Sequence, residues 1–155
     1  MRANLLEKRV PPVALVLIVG LIMWLVAVSA PRVDVDETLR LAIAGILFLL
    51  GIVFAISGVM AFRASKTTVD PRKPEASSAL VSSGVYRYSR NPMYVGFALV
   101  LAAWAVFLAS AWALLGVPFF VAYMNRFQIA PEEQALGEIF GEEFAAYMQR
   151  VRRWI

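Results

Sequence analysis

Long apolar runs alternate with shorter polar connections along the chain. Val13 to Ala30 is apolar and about 18 residues long, enough to cross a hydrocarbon core once. A signal peptide is the weaker reading, because the run is long for an h-region and the cleavage-site pattern is poor. Pro31 to Arg40 is a polar loop with Arg32 and Arg40 against Asp34, Asp36 and Glu37. Leu41 to Phe62 is a second run, whose Gly45, Gly51, Ser57 and Gly58 suit close helix packing. Arg63 to Asn91 is the longest polar segment. Pro71 and Pro74 argue against a long helix through its first half. Thr67-Thr68-Val69 is expected to be extended, and Ser77 to Ser83 to form a short interfacial helix stopped by Gly84.

No charged side chain lies between Met93 and Met124. A single helix of about 30 residues would be far longer than a ~30 Å core requires. The run therefore reads as a hairpin of two short arms, about 93–109 and 110–126, turned near Ala109–Ser110. Such arms must tilt, thin the bilayer or stop below the far surface, and Pro118 is expected to kink the second. Pro131 is expected to open a final helix, about 131–153. In it Leu136, Phe140, Phe144, Tyr147, Val151 and Trp154 recur at steps of 4, 4, 3, 4 and 3, one apolar stripe at helical period. Glu132 and Glu133 sit at its positive end and Arg150, Arg152 and Arg153 at its negative end, as the helix dipole favours. The charges on its other faces make it an interfacial helix, not a span. The expected architecture is all-α: one integral membrane domain over residues 1–155, with about four spans (13–30, 41–62, 93–109 and 110–126). A connecting loop at 63–92 and a C-terminal amphipathic helix complete it.

Composition agrees. The 155 residues are 61% apolar, against roughly 45–50% in average soluble domains. The chain has no cysteine and no histidine, which removes disulfides, thiolate nucleophiles, the commonest general base and the usual zinc ligands. No metal is expected. The net charge of +4 reads through topology, because the basic residues flank apolar runs; nucleic acid is not an expected partner. Three Lys/Arg precede the first run, two lie in the first loop, six in the 63–91 loop and none at the hairpin tip. By the positive-inside rule both termini and the long loop are cytoplasmic. A bacterial inner membrane is the expected location.

A hairpin returns both of its ends to one membrane face, so Arg90-Asn91-Pro92 and Glu132-Glu133 should meet there. The polar groups on offer are Arg, Asn, Gln, Glu, Tyr and backbone amides, which suit a zwitterionic or polyhydroxylated ligand. Methyl transfer from a sulfonium needs alignment and exclusion of water more than acid–base machinery. Each residue also has a plainer reading: Arg87 and Arg90 as interfacial anchors, the Glu pair as dipole complements, Tyr86, Tyr88 and Tyr94 as an aromatic belt. Taken alone, spacing and composition yield an interfacial site and no reaction.

The run G-V-Y-R-Y-S-R-N-P-M-Y-V-G, an apolar hairpin, then P-E-E-x-x-L-x-x-x-F-G-x-x-F-x-x-Y and a terminal V-R-R-W-I resembles the isoprenylcysteine carboxyl methyltransferases. Their wider superfamily includes membrane phospholipid methyltransferases. The likeness covers about Thr67 to Ile155. It implies a membrane methyltransferase that uses S-adenosylmethionine and acts on a lipophilic small molecule or lipid. By position, the cofactor residues it implies are Leu80, Val81, Tyr86, Asn91, Pro92, Met93, Tyr94 and Glu132. Two positions depart from the family pattern. Asn91 stands where the family often has His, and Asn cannot act as a base near neutral pH. Gln128 stands where the prenylcysteine enzymes place an Arg that meets the substrate carboxylate. Arg126, two residues earlier, lies about 200° around a helix from it. Arg126 and Gln128 are the candidate substrate-side catalytic residues. The competing readings are a non-catalytic membrane protein that binds lipid headgroups or a partner, and a small transporter. The lack of ionisable residues inside the spans argues against ion coupling.

Overall fold

A computed structural model describes residues 10–64 and 80–155. The described residues form five α-helices: α1 (Pro12–Ser29), α2 (Glu37–Ala64), α3 (Pro92–Phe107), α4 (Gly116–Tyr123) and α5 (Ala130–Arg150). Thr67-Thr68-Val69, Pro71, Pro74 and much of the connecting loop lie outside the described residues. Two helices, α1 and α2, are long and apolar enough to cross a membrane; α3 is apolar but shorter. Of the four expected spans, the described residues show two of membrane length; the second hairpin arm, expected at 110–126, holds α4, which has only 8 residues.

The tightest packing joins α2 to α3, and glycine causes it. A Cβ on Gly96 would lie 2.5 Å from the Gly51 carbonyl oxygen and 2.8 Å from the Ala55 nitrogen, so only hydrogen side chains permit this crossing. Close backbone approach of this kind is how helices associate where apolar side chains gain nothing from leaving lipid. A core of Leu15, Val19, Met23, Leu101, Phe120 and Met124 joins α1, α3 and α4. The Trp104 indole crosses from α3 to donate to the Gly20 carbonyl on α1 at 3.0 Å.

The chain reverses where the hairpin was expected. Ala109 takes a left-handed conformation with φ 51°. The Ser110 hydroxyl accepts from the Ala113 N–H at 3.3 Å, starting the short 3-10 turn Ala113–Leu115 that leads into α4. The first loop meets this turn: the Val33 N–H donates to the Ala109 carbonyl at 2.8 Å. Arg40 donates to the Phe107 carbonyl, capping the negative end of α3. Its guanidinium also lies 6.0 Å from the Phe107 ring centroid. These contacts collect the first loop and the hairpin tip at one end of the molecule.

Three expectations about local structure need correction. Leu80 to Ser83 is not helical, and Gly84 (φ 59°) starts a 3-10 turn, Gly84–Arg87, instead of stopping a helix. Pro131 does not open a separate helix. The chain stays helical from α4 through a π-helical segment, Met124–Ile129, straight into α5. Proline lacks the N–H that would continue α-type bonding, and the wider π turn relieves the clash its ring would make with the preceding turn. The last helix also ends at Arg150 instead of about 153, and Val151 is extended. Within α5, Gly141 adopts φ 50° and ψ −120° and kinks the helix. That geometry belongs to the first central position of a II′ turn, which glycine dominates. Past the kink, Phe144, Tyr147 and Val151 pack with Leu136, Phe140 and Leu80, so most of the apolar stripe is real. Trp154 leaves it and packs on the main core instead.

Candidate active site

The end of the molecule opposite the hairpin tip holds the polar cluster. Asn91 immediately precedes α3, with non-helical φ −132° and ψ 55°. Its carbonyl accepts from the Tyr94 and Val95 N–H groups, both at 3.0 Å, and Pro92 fills the first helical position, where a missing N–H costs nothing. The buried Ser89 hydroxyl accepts from the Asn91 N–H at 3.0 Å. The Asn91 side-chain amide donates to the Arg153 carbonyl at 2.9 Å.

Two turns of chemistry meet at Glu132. The Tyr94 hydroxyl donates to Glu132 Oε1 at 2.7 Å across 38 residues of sequence. The Gln128 side-chain amide donates to the same oxygen from one turn earlier. Gln128 is 2% exposed and Tyr94 4% exposed, so this carboxylate is held by buried donors. Gln128 lies in the π segment and Glu132 one turn later in α5, the four-residue spacing at which side chains on one helix face meet. Segments of this kind recur at functional sites.

Glu133 faces a different set. Its Oε1 accepts from Arg90 at 2.7 Å and from Arg153 Nε at 3.1 Å, and its Oε2 accepts from Arg153 Nη2. Arg90 also donates to the Val151 carbonyl at 2.8 Å and the Met148 carbonyl at 3.2 Å.

The remaining candidate residues are distributed around this centre. Val81 is buried, and Leu80 packs against the Phe144–Tyr147–Val151 cluster. Tyr86 is buried and meets the Phe62 ring edge-on, centroids 5.3 Å apart. Its carbonyl accepts from the Tyr147 hydroxyl at 2.7 Å. Burial, then the nearby Tyr147 and Glu132, holds the Tyr86 hydroxyl well above its ordinary range, and burial pushes Tyr147 up to about 12. Both stay neutral at any physiological pH. Met93 packs against Gly58, on the α2 side of α3. Arg126 does not join the cluster: it is exposed, its guanidinium 5.9 Å from the Phe127 ring centroid. Among the candidates, Asn91, Tyr94, Gln128 and Glu132 are thus brought together, and Arg126 is not.

Ser89, Asn125, Arg153 and Trp154 were not among the candidates. Ser89 was legible, since a serine two residues before a helix-starting asparagine can satisfy its N–H locally. The carboxyl-terminal partners of Arg90 and Glu133, Val151 and Arg153, carry no such local signal, because they lie 61 and 20 residues away.

Among the described residues, helices alone, two of them of membrane length, and a polar cluster at one end define the class. The family model described as phospholipid methyltransferase matches residues 39–143, and the chain belongs to that family. The matched region contains α2, the Asn91–Tyr94 segment, the π turn and Glu132. A Haemophilus influenzae protein described as uncharacterized is 46% identical over 63 residues, which are all of that protein and 41% of this chain. No solved structure matches significantly. Membership implies methyltransferase activity in general and a membrane setting. Methyltransferases of this family generally use S-adenosylmethionine.

Proposed function

We propose that the protein transfers a methyl group from S-adenosylmethionine to a lipophilic acceptor, in the manner of the isoprenylcysteine carboxyl methyltransferases. The observation that carries this reading is the convergence of Asn91, Tyr94, Gln128 and Glu132 at one end of the bundle. The donor set fits the cofactor. A half-buried carboxylate suits ribose hydroxyls or an ammonium, and nearby amides suit a carboxylate. Leu80, Val81, Tyr86, Pro92 and Met93 would supply its apolar surroundings. When bound, the sulfonium supplies an activated methyl group, which leaves the protein to orient the acceptor and exclude water.

An apolar cleft of about 790 Å³ between α1, α2 and α3 supports a lipophilic acceptor. Gly20, Gly45, Phe48, Val100, Trp104 and Phe107 are among its walls. Both termini and the site are assigned to the cytoplasmic face of a bacterial inner membrane, on the distribution of Lys and Arg.

The test is methylation of a lipid extract with isotopically labelled S-adenosylmethionine, followed by mass analysis of the product. Calorimetry with the cofactor in detergent is the companion measurement. Absence of cofactor binding would favour the non-catalytic reading.

A further inference from the structure

Resting on the methyltransferase reading, we propose that the carboxyl-terminal segment Val151–Trp154 is a positioning strap for the site. Glu133 fastens it, and Arg90, Glu133 and Arg153 act on the site through it without touching cofactor or substrate.

Three consecutive carbonyls of the segment face the residues just before α3. Val151 accepts from the Arg90 guanidinium at 2.8 Å. Arg152 accepts from the Arg90 backbone N–H at 3.0 Å. Arg153 accepts from the Asn91 side-chain amide at 2.9 Å. The far side of the segment is tied just as firmly. The Arg153 guanidinium grips Glu133 at the start of α5. The Trp154 indole N–H donates to Asn125 Oδ1 on the π segment at 3.0 Å. Four residues thus bridge the three pieces that make the site: the 89–91 segment, the π turn and the first turn of α5.

The position of each tie explains its effect. Asn91 is itself bonded to the strap, and Glu132 is the neighbour of Glu133. The strap therefore sets the spacing between the two residues that the cofactor would bridge, on elements far apart in sequence. Glu133 is a positioning residue because both of its oxygens are held by guanidinium groups. The Arg90 and Glu133 side chains are only 12% and 15% exposed, so the contact is little screened by solvent.

The test uses the full chain in detergent with three variants: Glu133→Gln, Arg153→Lys and Trp154→Phe. Amide hydrogen exchange of residues 84–95 reads strap docking directly, because the Arg90 N–H is bonded to it. Cofactor affinity and acceptor KM read the consequence. Glu133→Gln should raise Arg90 exchange and weaken S-adenosylmethionine binding each by roughly tenfold, the scale of one charge-assisted hydrogen bond. Acceptor KM should not change. Arg153→Lys, which keeps one charged donor, should lie between the wild type and Glu133→Gln. Gln134→Ala, on the exposed face of α5, should change nothing. Faster exchange with unchanged affinity would overturn the positioning role. Weaker binding with unchanged exchange would mean that Glu133 meets the cofactor itself, and would also overturn it. If the wild type binds no S-adenosylmethionine, the methyltransferase reading fails separately, and unchanged exchange in the variants would then reject the strap. Should Glu133→Gln fail to fold, Arg153→Lys and Trp154→Phe give the same readings.

Discussion

Glu132 and Glu133 are adjacent residues with different partners. Glu132 accepts from Tyr94 and Gln128, whereas Glu133 is bound by Arg90 and Arg153. Glu132→Gln should weaken cofactor binding by roughly 1.5–3 kcal/mol, the value of hydrogen bonds to a charged group. Hydrogen exchange at Arg90 should stay as in the wild type, and calorimetry with exchange mapping checks both. Gln128 raises the question of the acceptor. It is buried and bonded to Glu132, and a neutral amide cannot replace the paired donor fork of a guanidinium. The wild type should therefore methylate a prenylcysteine carboxylate poorly, and Gln128→Arg should improve it. Overpacking should cost the variant about 1–3 kcal/mol of stability. Rates at saturating S-adenosylmethionine decide it: strong wild-type activity that Gln128→Arg reduces would refute the assignment. Tyr147 gives a pH signature. Its hydroxyl is raised from the ordinary 10.0 to about 12 by burial, so the folded state favours the neutral form. Its contribution to stability is complete below pH about 10 and is lost as pH rises toward 12. Tyr147→Phe should flatten the alkaline decline in unfolding temperature over that window.

Among the elements, the α2–α3 crossing has the least room. Gly96→Ala would force a Cβ to within 2.5 Å of the Gly51 oxygen, so the helices must part. The expected cost is about 1–3 kcal/mol, as for other overpacking changes. Gly45→Ala is the matched control, since its Cβ would meet nothing within 4 Å. Its effect should stay within about 0.5 kcal/mol. Thermal unfolding of both variants in detergent tests the contrast. The spacing of Gly45, Gly51 and Gly58 made close packing legible in the sequence, but not which glycine lies at the crossing. Gly51 and Gly58 face α3, while Gly45 lines the apolar cleft.

At the scale of the whole molecule, the structure separates two ends. One holds the first loop and the hairpin tip, joined by Val33 to Ala109 and Arg40 to Phe107. The other holds the polar cluster and the carboxyl-terminal strap. Arg40, in the first turn of α2 and not in the first loop, caps α3 and so has a structural role at that end. Reporter fusions at residue 1 and after Ile155 should both report the cytoplasm. Opposite sides would mean that the hairpin crosses as a single span.

Local patterns determined what local forces govern. The apolar runs, the reversal at Ala109–Ser110, the helix starting at Pro92 and the stripe through Phe144 and Tyr147 follow from hydropathy, turn chemistry and helical period. The motifs around Asn91 and Glu132 were expected at one end of the bundle, where Tyr94 and Gln128 bond Glu132 and Arg90 bonds Glu133. The tertiary structure alone decided the rest. Pro131 marks a break in α-type bonding, but that the chain passes it through a π segment joining α4 to α5, and does not start a new helix there, was decided by the fold. Glu133 also read as a complement to a helix dipole; the Arg90 segment was expected beside it, but Arg153 was not. A charge's role depends on what the fold sets beside it, and sequence spacing reports only the neighbours one turn away.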